Sequence, residues 1–481
     1  MSDTDRLVNK NIQGHDLSIH QNTCCRQSIW MIVTIILCTC LLEGYAVHYS
    51  APVIPKLMEK DYSAQVQMSQ SAIYLYSAII FLGMAIGTII ASFFLDQIGR
   101  RTTMILSCVP HLFGWLFMVY GTNPSWLIGG RFMVGTAVGT TTTAATIYML
   151  EVSPETSRRP LLHTLAVATM LGGAVCGGLS LVLHWRYLAL IGASCSLINA
   201  IGISLQPQSP KWLILKGQPQ IAAKALRQLH GQDVDVEIEI RKIEQEIEES
   251  ERITWRRLRL QSLLRPFLAL IAIISFVPLM GASILLLYSP LIYIKAGFDF
   301  SLKINLGICF ARVLGALLAI PLINNFKRRI ILIISGIGMC VGSFIFGLYF
   351  QTAASHMNIP GYQIDWLSVA GGALYSISVT FGWASVSWVL LPEILPKSLL
   401  RNLIPYLTAY SYTLFFIMSY IYIYMVNSVG SNGSFWIFSS ICLIVAFTVY
   451  FILPETKDKS IEEVIESFQP TKRIAKTSTK G

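Results

Sequence analysis

An all-α membrane protein of twelve transmembrane helices, arranged as two six-helix bundles, is the fold this sequence predicts, and three observations predict it. Of 481 residues, 54% are hydrophobic and 13% charged, whereas a soluble domain carries about a quarter charged residues. Apolar runs of about twenty residues, each able to cross a ~30 Å hydrocarbon core, recur along nearly the whole chain. A charged insert divides those runs into two groups of six, the layout of a two-bundle carrier around a central site.

In chain order, residues 1–28 are polar and read as a cytoplasmic tail. The run that follows is too long for a secretory signal and lacks a small-residue cleavage site, so it stays as the first span. Cys24 and Cys25 lie just before it, where palmitoylation and unmodified thiols are equally open. The first bundle, 29–205, takes spans at 29–49, 71–95, 102–120, 125–149, 161–183 and 185–205. The linker, 206–265, has helical composition over Gln220–His230 and Asp235–Glu251, and Ile238, Ile240, Ile243 and Ile247 give the second stretch an apolar stripe. The second bundle, 266–453, takes spans at 266–293, 301–323, 330–351, 366–391, 401–426 and 434–453, and 454–481 form a short cytoplasmic tail.

The net charge of +10 does not point to nucleic acid, because the basic residues are sorted by side. With both termini cytoplasmic, 29 of the 36 Lys and Arg lie inside. Lys56, Lys60, Arg186, Lys295 and Lys303 lie outside, and Arg131 and Arg312 lie within spans. That is the positive-inside distribution, and it orients the helices. Cysteines 38, 40, 108, 176, 195, 309, 340 and 442 fall in predicted helices and are expected as free thiols. His48, His111 and His163 have no metal-like spacing, and no nucleophile–base set, phosphate loop or zinc signature occurs. The expectation is no enzyme, no cofactor and no metal.

The two halves repeat each other. Asp96-Gln97-Ile98-Gly99-Arg100-Arg101 follows the second span, and Asn324-Asn325-Phe326-Lys327-Arg328-Arg329 follows the eighth. Glu151 to Arg158 after the fourth span is echoed by Glu393 to Arg401 after the tenth. Two matches in register point to an internal duplication.

These residues resemble the sugar porter family of the major facilitator superfamily, over about 29 to 464. The likeness is carried by Asp96–Arg101, Gly130-Arg131-Phe132, Glu151-Val152-Ser153-Pro154 with Arg158, and Pro207-Gln208-Ser209-Pro210-Lys211-Trp212-Leu213. Trp388 with Pro392-Glu393-Ile394-Leu395-Pro396, and Pro454-Glu455-Thr456-Lys457, complete it. Ser50-Ala51-Pro52-Val53-Ile54-Pro55 is most similar to insect facilitated trehalose and glucose transporters. The resemblance implies the major facilitator fold, a plasma-membrane carrier working as a monomer, and a sugar such as trehalose or a hexose moving by facilitated diffusion with alternating access. A proton-coupled symporter, a non-transporting sugar sensor and a porter of another organic solute remain open alternatives.

Alternating access needs an inner gate that closes firmly yet reversibly, and carboxylate–arginine bonds at helix ends supply one. Asp96, Arg100, Arg101, Glu151 and Arg158 are expected to do this in the first half, and Arg328, Arg329, Glu393, Arg401 and Glu455 in the second. The alternative is that these charges only anchor helix ends. Asn324 stands where the family has aspartate, Lys327 where it has glycine and Gln208 where it has glutamate, so a looser gate is expected. The family's sugar-bonding amides are also replaced, by Val277, Pro278, Ser283, Ala166 and Tyr412. Candidate contacts for the solute are therefore Trp388, Ser283, Tyr288 and Tyr412.

Charges inside the bilayer cost about 2.5–3.5 kcal/mol on insertion scales and normally face a cavity or a partner. Proton-coupled members pair an acid of the first span with the span-four arginine. Glu43 is offset by about two residues from that acid, so a Glu43–Arg131 proton-coupling pair and a structural role both remain open. Arg312 stands where relatives tend to have an amide, and either an anionic solute or a carboxylate elsewhere would neutralise it. Asn432-Gly433-Ser434 is a glycosylation sequon in a very short outer loop.

Overall fold

The computed structural model describes residues 30–58, 66, 68–153, 155–230, 235–251, 261–354, 361–395 and 397–468. The N-terminal tail, with Cys24 and Cys25, lies outside them. The described residues are helices joined by short turns, with no strand among them. Spans 1 to 6 run over Trp30–Met58, Gln70–Ile98, Arg100–Tyr120, Pro124–Val152, Glu155–Leu179 and Trp185–Ser204. Span 7 comprises Gln261–Leu279 and Ala282–Lys295, span 8 is Ser301–Asn325 and span 9 Arg328–Ala354. Span 10 comprises Gly361–Ser378, Val379–Trp383 and Ala384–Ile394, and spans 11 and 12 share Lys397–Ile452.

Ten of the described helices are long and apolar enough to cross a membrane. One of them, Leu403–Ile452, is 50 residues long, roughly 75 Å at 1.5 Å per residue, and breaks at Gly430 (φ 76°) into two passes. Span 4 is not among the ten, because Arg131 and the run Thr140–Thr143 dilute its hydropathy. Its threonines return hydroxyl bonds to the preceding turn, as Thr141 does to Ala137 O at 2.8 Å, so its polarity is locally satisfied.

Small residues decide how closely spans approach, since lipid gives apolar helices no hydrophobic reason to associate. Gly83 and Gly87 of span 2 face span 4, where added Cβ atoms would collide with the carbonyl oxygens of Phe132 and Thr136. Gly135 and Gly139 of span 4 return the contact against the carbonyls of Ile80 and Met84. Gly44 and Gly172 likewise seat span 1 against span 5, at Thr169 and Leu41.

The halves meet along span 2 with span 11, along span 5 with span 8, and where Ser50–Met58 lies against Ala282–Lys295. A two-fold relation exchanging spans 2 and 8 also exchanges 5 and 11, so the first two interfaces are copies of each other.

Several boundaries differ from expectation for identifiable reasons. The first span does not end at 49, because the apolar stretch Ser50–Met58 continues as a buried helix despite two prolines. Span 7 is interrupted because Pro278 lacks a backbone donor and Gly281 takes the left-handed conformation (φ 85°), which glycine alone adopts freely. Span 10 holds a π-helical turn at Val379–Trp383, a feature common at functional sites. Linker residues fold as Pro210–Leu215, Pro219–His230 and Val236–Glu251, tied by Lys211 Nζ to Glu246 Oε2 at 2.7 Å. Within the last segment, Ser460 and Glu463 form a capping box that starts a helix at Ile461–Ser467.

Candidate functional site

At the predicted inner end of the first half, Arg100 is the hub of a buried cluster. Its Nη2 donates to Glu151 Oε1 at 2.7 Å, with the two side chains 1% and 8% exposed. Its Nη1 donates to Leu95 O at 3.0 Å. The other oxygen of Glu151 accepts from Ser209 Oγ at 2.5 Å. Gln208 Oε1 accepts from the backbone N–H of Arg101 at 3.0 Å, filling an otherwise orphaned donor at the start of span 3. The Arg101 guanidinium donates to Ser204 O at 2.5 Å. Asp96 is peripheral, 3.9 Å from Arg100 and 66% exposed.

The second half builds the same cluster. Arg328 donates to Glu393 Oε1 from Nη2 at 2.9 Å and from Nε at 3.1 Å, and its Nη1 reaches the carbonyl of Ile323. Thr456 Oγ1 donates to Glu393 Oε2 at 2.6 Å. The carboxylate of Glu455 accepts from the backbone N–H groups of Arg328 and Arg329 at 3.0 and 3.4 Å, where the helix dipole favours negative charge. Arg329 lies over the Tyr450 ring at 4.6 Å. Arg158 and Arg401 lie in helices, and their side chains fall outside the described residues.

The correspondence exposes a third repeat that sequence reasoning left unpaired. Pro207-Gln208-Ser209 after span 6 does what Pro454-Glu455-Thr456 does after span 12. The signal was present as a proline, an acid or amide, and a hydroxyl in the same order. In the same correspondence Asn324 stands opposite Asp96, which is exposed and lies 3.9 Å from Arg100. Both clusters join elements within one half, and among the described residues no ion pair joins the halves.

Toward the predicted outer side aromatic rings of the two halves meet. Tyr288 stacks on Tyr422 at 5.6 Å and meets Tyr74 of span 2 at 5.5 Å. Phe81 of span 2 stacks on Phe415 of span 11 at 5.3 Å. Tyr288 donates its hydroxyl to Ser419 O at 3.2 Å, so its ring belongs to this contact. Tyr74, Tyr422, Phe81 and Phe415 were not singled out from sequence, because an aromatic on an apolar helix does not declare which neighbour it meets.

Of the two roles left open for Glu43 and Arg131, an ion pair between them is not found among the described residues. Arg131 donates to Ala46 O at 2.5 Å, to Val47 O at 3.1 Å and to Ser50 Oγ at 2.6 Å, and its guanidinium lies over the rings of Tyr49 and Tyr76. Glu43, 5% exposed, instead has one carboxylate oxygen without a hydrogen-bond partner and lies beside Thr142 of span 4 and Tyr412 of span 11. The two-residue offset turns the acid away from Arg131, and the contact joins the two halves. Ser283 is buried with an unpartnered hydroxyl. Trp388 is 41% exposed, while the fully buried tryptophan of span 10 is Trp383, in the π-helical turn and 6.0 Å from the Phe276 ring.

Twelve passes in two pseudo-symmetric halves, matched inner clusters, an aromatic outer contact and a polar centre define a membrane carrier of the major facilitator fold. The chain belongs to the sugar (and other) transporter family, which matches residues 31–468. It is 28% identical over 442 residues to the facilitated trehalose transporter Tret1 of Apis mellifera ligustica, covering 90% of this chain and 87% of that one. It is also 28% identical to the Tret1 of Polypedilum vanderplanki, covering 88% and 84%. Against the Tret1 of Drosophila virilis the identity is 26% and the match covers 88% of this chain but 47% of the relative. Among solved structures, the partially occluded inward open xylose transporter XylE from E. coli superposes with a TM-score of 0.77 at 19% identity, covering 90% of this chain and 100% of that one. The proton:xylose symporter XylE bound to 6-bromo-6-deoxy-D-glucose superposes with a TM-score of 0.75 at 19% identity, covering 92% and 100%. At that identity the likeness concerns the fold.

Proposed function

We propose that this chain carries a polyhydroxylated, sugar-like solute through the plasma membrane as a monomeric facilitator, with both termini and the linker cytoplasmic. Family membership and the trehalose-transporter relatives support the solute class, and the sorting of basic residues supports the orientation. The inner clusters act as clasps that keep each half a rigid unit while the halves rock about the span 2–11 and 5–8 interfaces. The aromatic rings close the outer entrance in one half of that cycle.

The observation that favours a facilitator over a proton symporter is the arrangement at Arg131. Its guanidinium is engaged by two carbonyls, one hydroxyl and two tyrosine rings, and among the described residues no carboxylate pairs with it. Glu43→Gln keeps size and hydrogen bonding to Thr142 while removing the ionisable group. In proteoliposomes with an inward proton gradient, wild type and variant are both expected to bring labelled sugar to equilibrium and no further. Accumulation by the wild type, abolished in Glu43→Gln, contradicts the facilitator reading.

A further inference from the structure

The two intramembrane arginines are held differently. Arg131 makes three hydrogen bonds and faces two tyrosine rings, with only its Nε unpartnered. Arg312, midway along span 8 and 4% exposed, makes one long hydrogen bond, from Nη2 to Ala282 O at 3.4 Å where span 7 is broken. Its Nε also has no partner, and among the described residues no ion pair and no aromatic ring engages it. A buried guanidinium left this open is costly unless something supplies the missing negative charge.

Its surroundings suit a ligand. His48 of span 1 has its ring against Gly173 of span 5, and both Arg312 and Arg131 act on it electrostatically. His48 Nδ1 lies 2.9 Å from the carbonyl oxygen of Gly44. A carbonyl can only accept, so Nδ1 carries the hydrogen and the neutral ring offers a lone pair at Nε2, which has no partner. Ser283, adjacent in sequence to the carbonyl that Arg312 touches, is buried with a free hydroxyl. A donor fork from span 8, a lone pair from span 1 and a hydroxyl from span 7 are thus all buried without a full set of partners. Glu43, five residues from His48 on the same span, is buried with one unpartnered carboxylate oxygen, and no ion pair joins it to Arg312 among the described residues.

We infer that Arg312 is the recognition cation of the central site and that the carried solute bears one carboxylate on a polyhydroxylated frame, the chemistry of a sugar acid. The planar fork binds a carboxylate through two parallel hydrogen bonds. One open guanidinium matches one negative charge, so a dianionic phosphate fits less well. Ser283 and His48 Nε2 are left for hydroxyls of the frame. A neutral hexose would fill the hydroxyl contacts and leave the guanidinium uncompensated. The inference rests on the carrier reading and narrows it.

The test uses the full chain in proteoliposomes with labelled D-glucuronate and D-glucose. D-glucuronate is expected to enter, and to accumulate above its external concentration when the interior is made positive. Arg312→Gln should lower glucuronate uptake at least tenfold and raise that of glucose, whereas Arg312→Lys should keep potential-driven uptake with a higher KM. Entry of glucose without glucuronate overturns the inference and leaves the carrier reading standing. Entry of trehalose, run alongside, without glucuronate likewise overturns the inference and leaves the carrier reading standing, and entry of none of the three overturns both. Should the variants fail to reach the membrane, the wild type alone decides: a melting temperature raised by glucuronate and not by glucose supports the site, and equal shifts overturn it.

Discussion

Glu151→Ala is expected to lower turnover at least tenfold while reducing surface abundance less. The substitution leaves the Arg100 guanidinium, 1% exposed, with the Leu95 carbonyl and the exposed Asp96 carboxylate 3.9 Å away, and it releases Ser209 at the start of the linker helix. Breaking a buried ion pair from one side destabilises by about 3–5 kcal/mol. Part of that is recovered by water, because the cluster sits at the end of the membrane. The remainder loosens the joint between spans 2, 3, 4 and the linker that lets the first half move as one body. Glu393→Ala should behave alike, since Arg328 and Thr456 are released in the same way. The double variant Arg100→Ala/Glu151→Ala should be less impaired than the sum of its parts, because neither charge is then left alone. Measured uptake per surface copy checks this, and normal turnover in both single variants would mean that the charges only anchor helix ends.

Gly135→Val is expected to remove the protein from the membrane rather than slow it. The added Cβ would collide with the carbonyl of Ile80, and a backbone atom cannot swing aside as a side chain does. Spans 2 and 4 would have to separate, and the reciprocal contacts of Gly83, Gly87 and Gly139 would be lost with them. Gly129, with open space around its Cβ position, provides the control on the same helix. Surface biotinylation should show Gly135→Val strongly depleted and Gly129→Ala near wild-type level. Equal abundance of the two would refute the close approach of spans 2 and 4.

The parts legible in the sequence were those where chemistry is forced by position. Charged residues at the ends of apolar runs stand out because lipid tolerates nothing like them, so Arg100, Glu151, Arg328 and Glu393 could be read directly. The apolar runs themselves gave nearly every span. The centre was less legible, because pairing inside a bundle depends on helix rotation and breaks that composition does not encode. Glu43 and Arg131 have the right residue types, yet a two-residue offset directs the acid to Thr142 and Tyr412. Gly281 and Gly430 interrupt or join spans through backbone conformations that hydropathy cannot register. Trp388 drew notice through a motif, whereas Trp383, five residues earlier, is the tryptophan buried in the π-helical turn.

That this chain is a carrier, and not a receptor of carrier-like build, is tested most directly by counterflow. Proteoliposomes are loaded with a high concentration of unlabelled solute and diluted into a trace of the labelled one, with D-glucose, trehalose and D-glucuronate taken in turn. A protein whose single site faces the two sides alternately returns loaded faster than empty, so labelled solute should rise transiently above its external concentration inside the vesicles. An overshoot that saturates with solute and falls in Glu151→Ala is the expected result. Solute binding to the reconstituted protein without any overshoot would contradict carriage and leave a sensor.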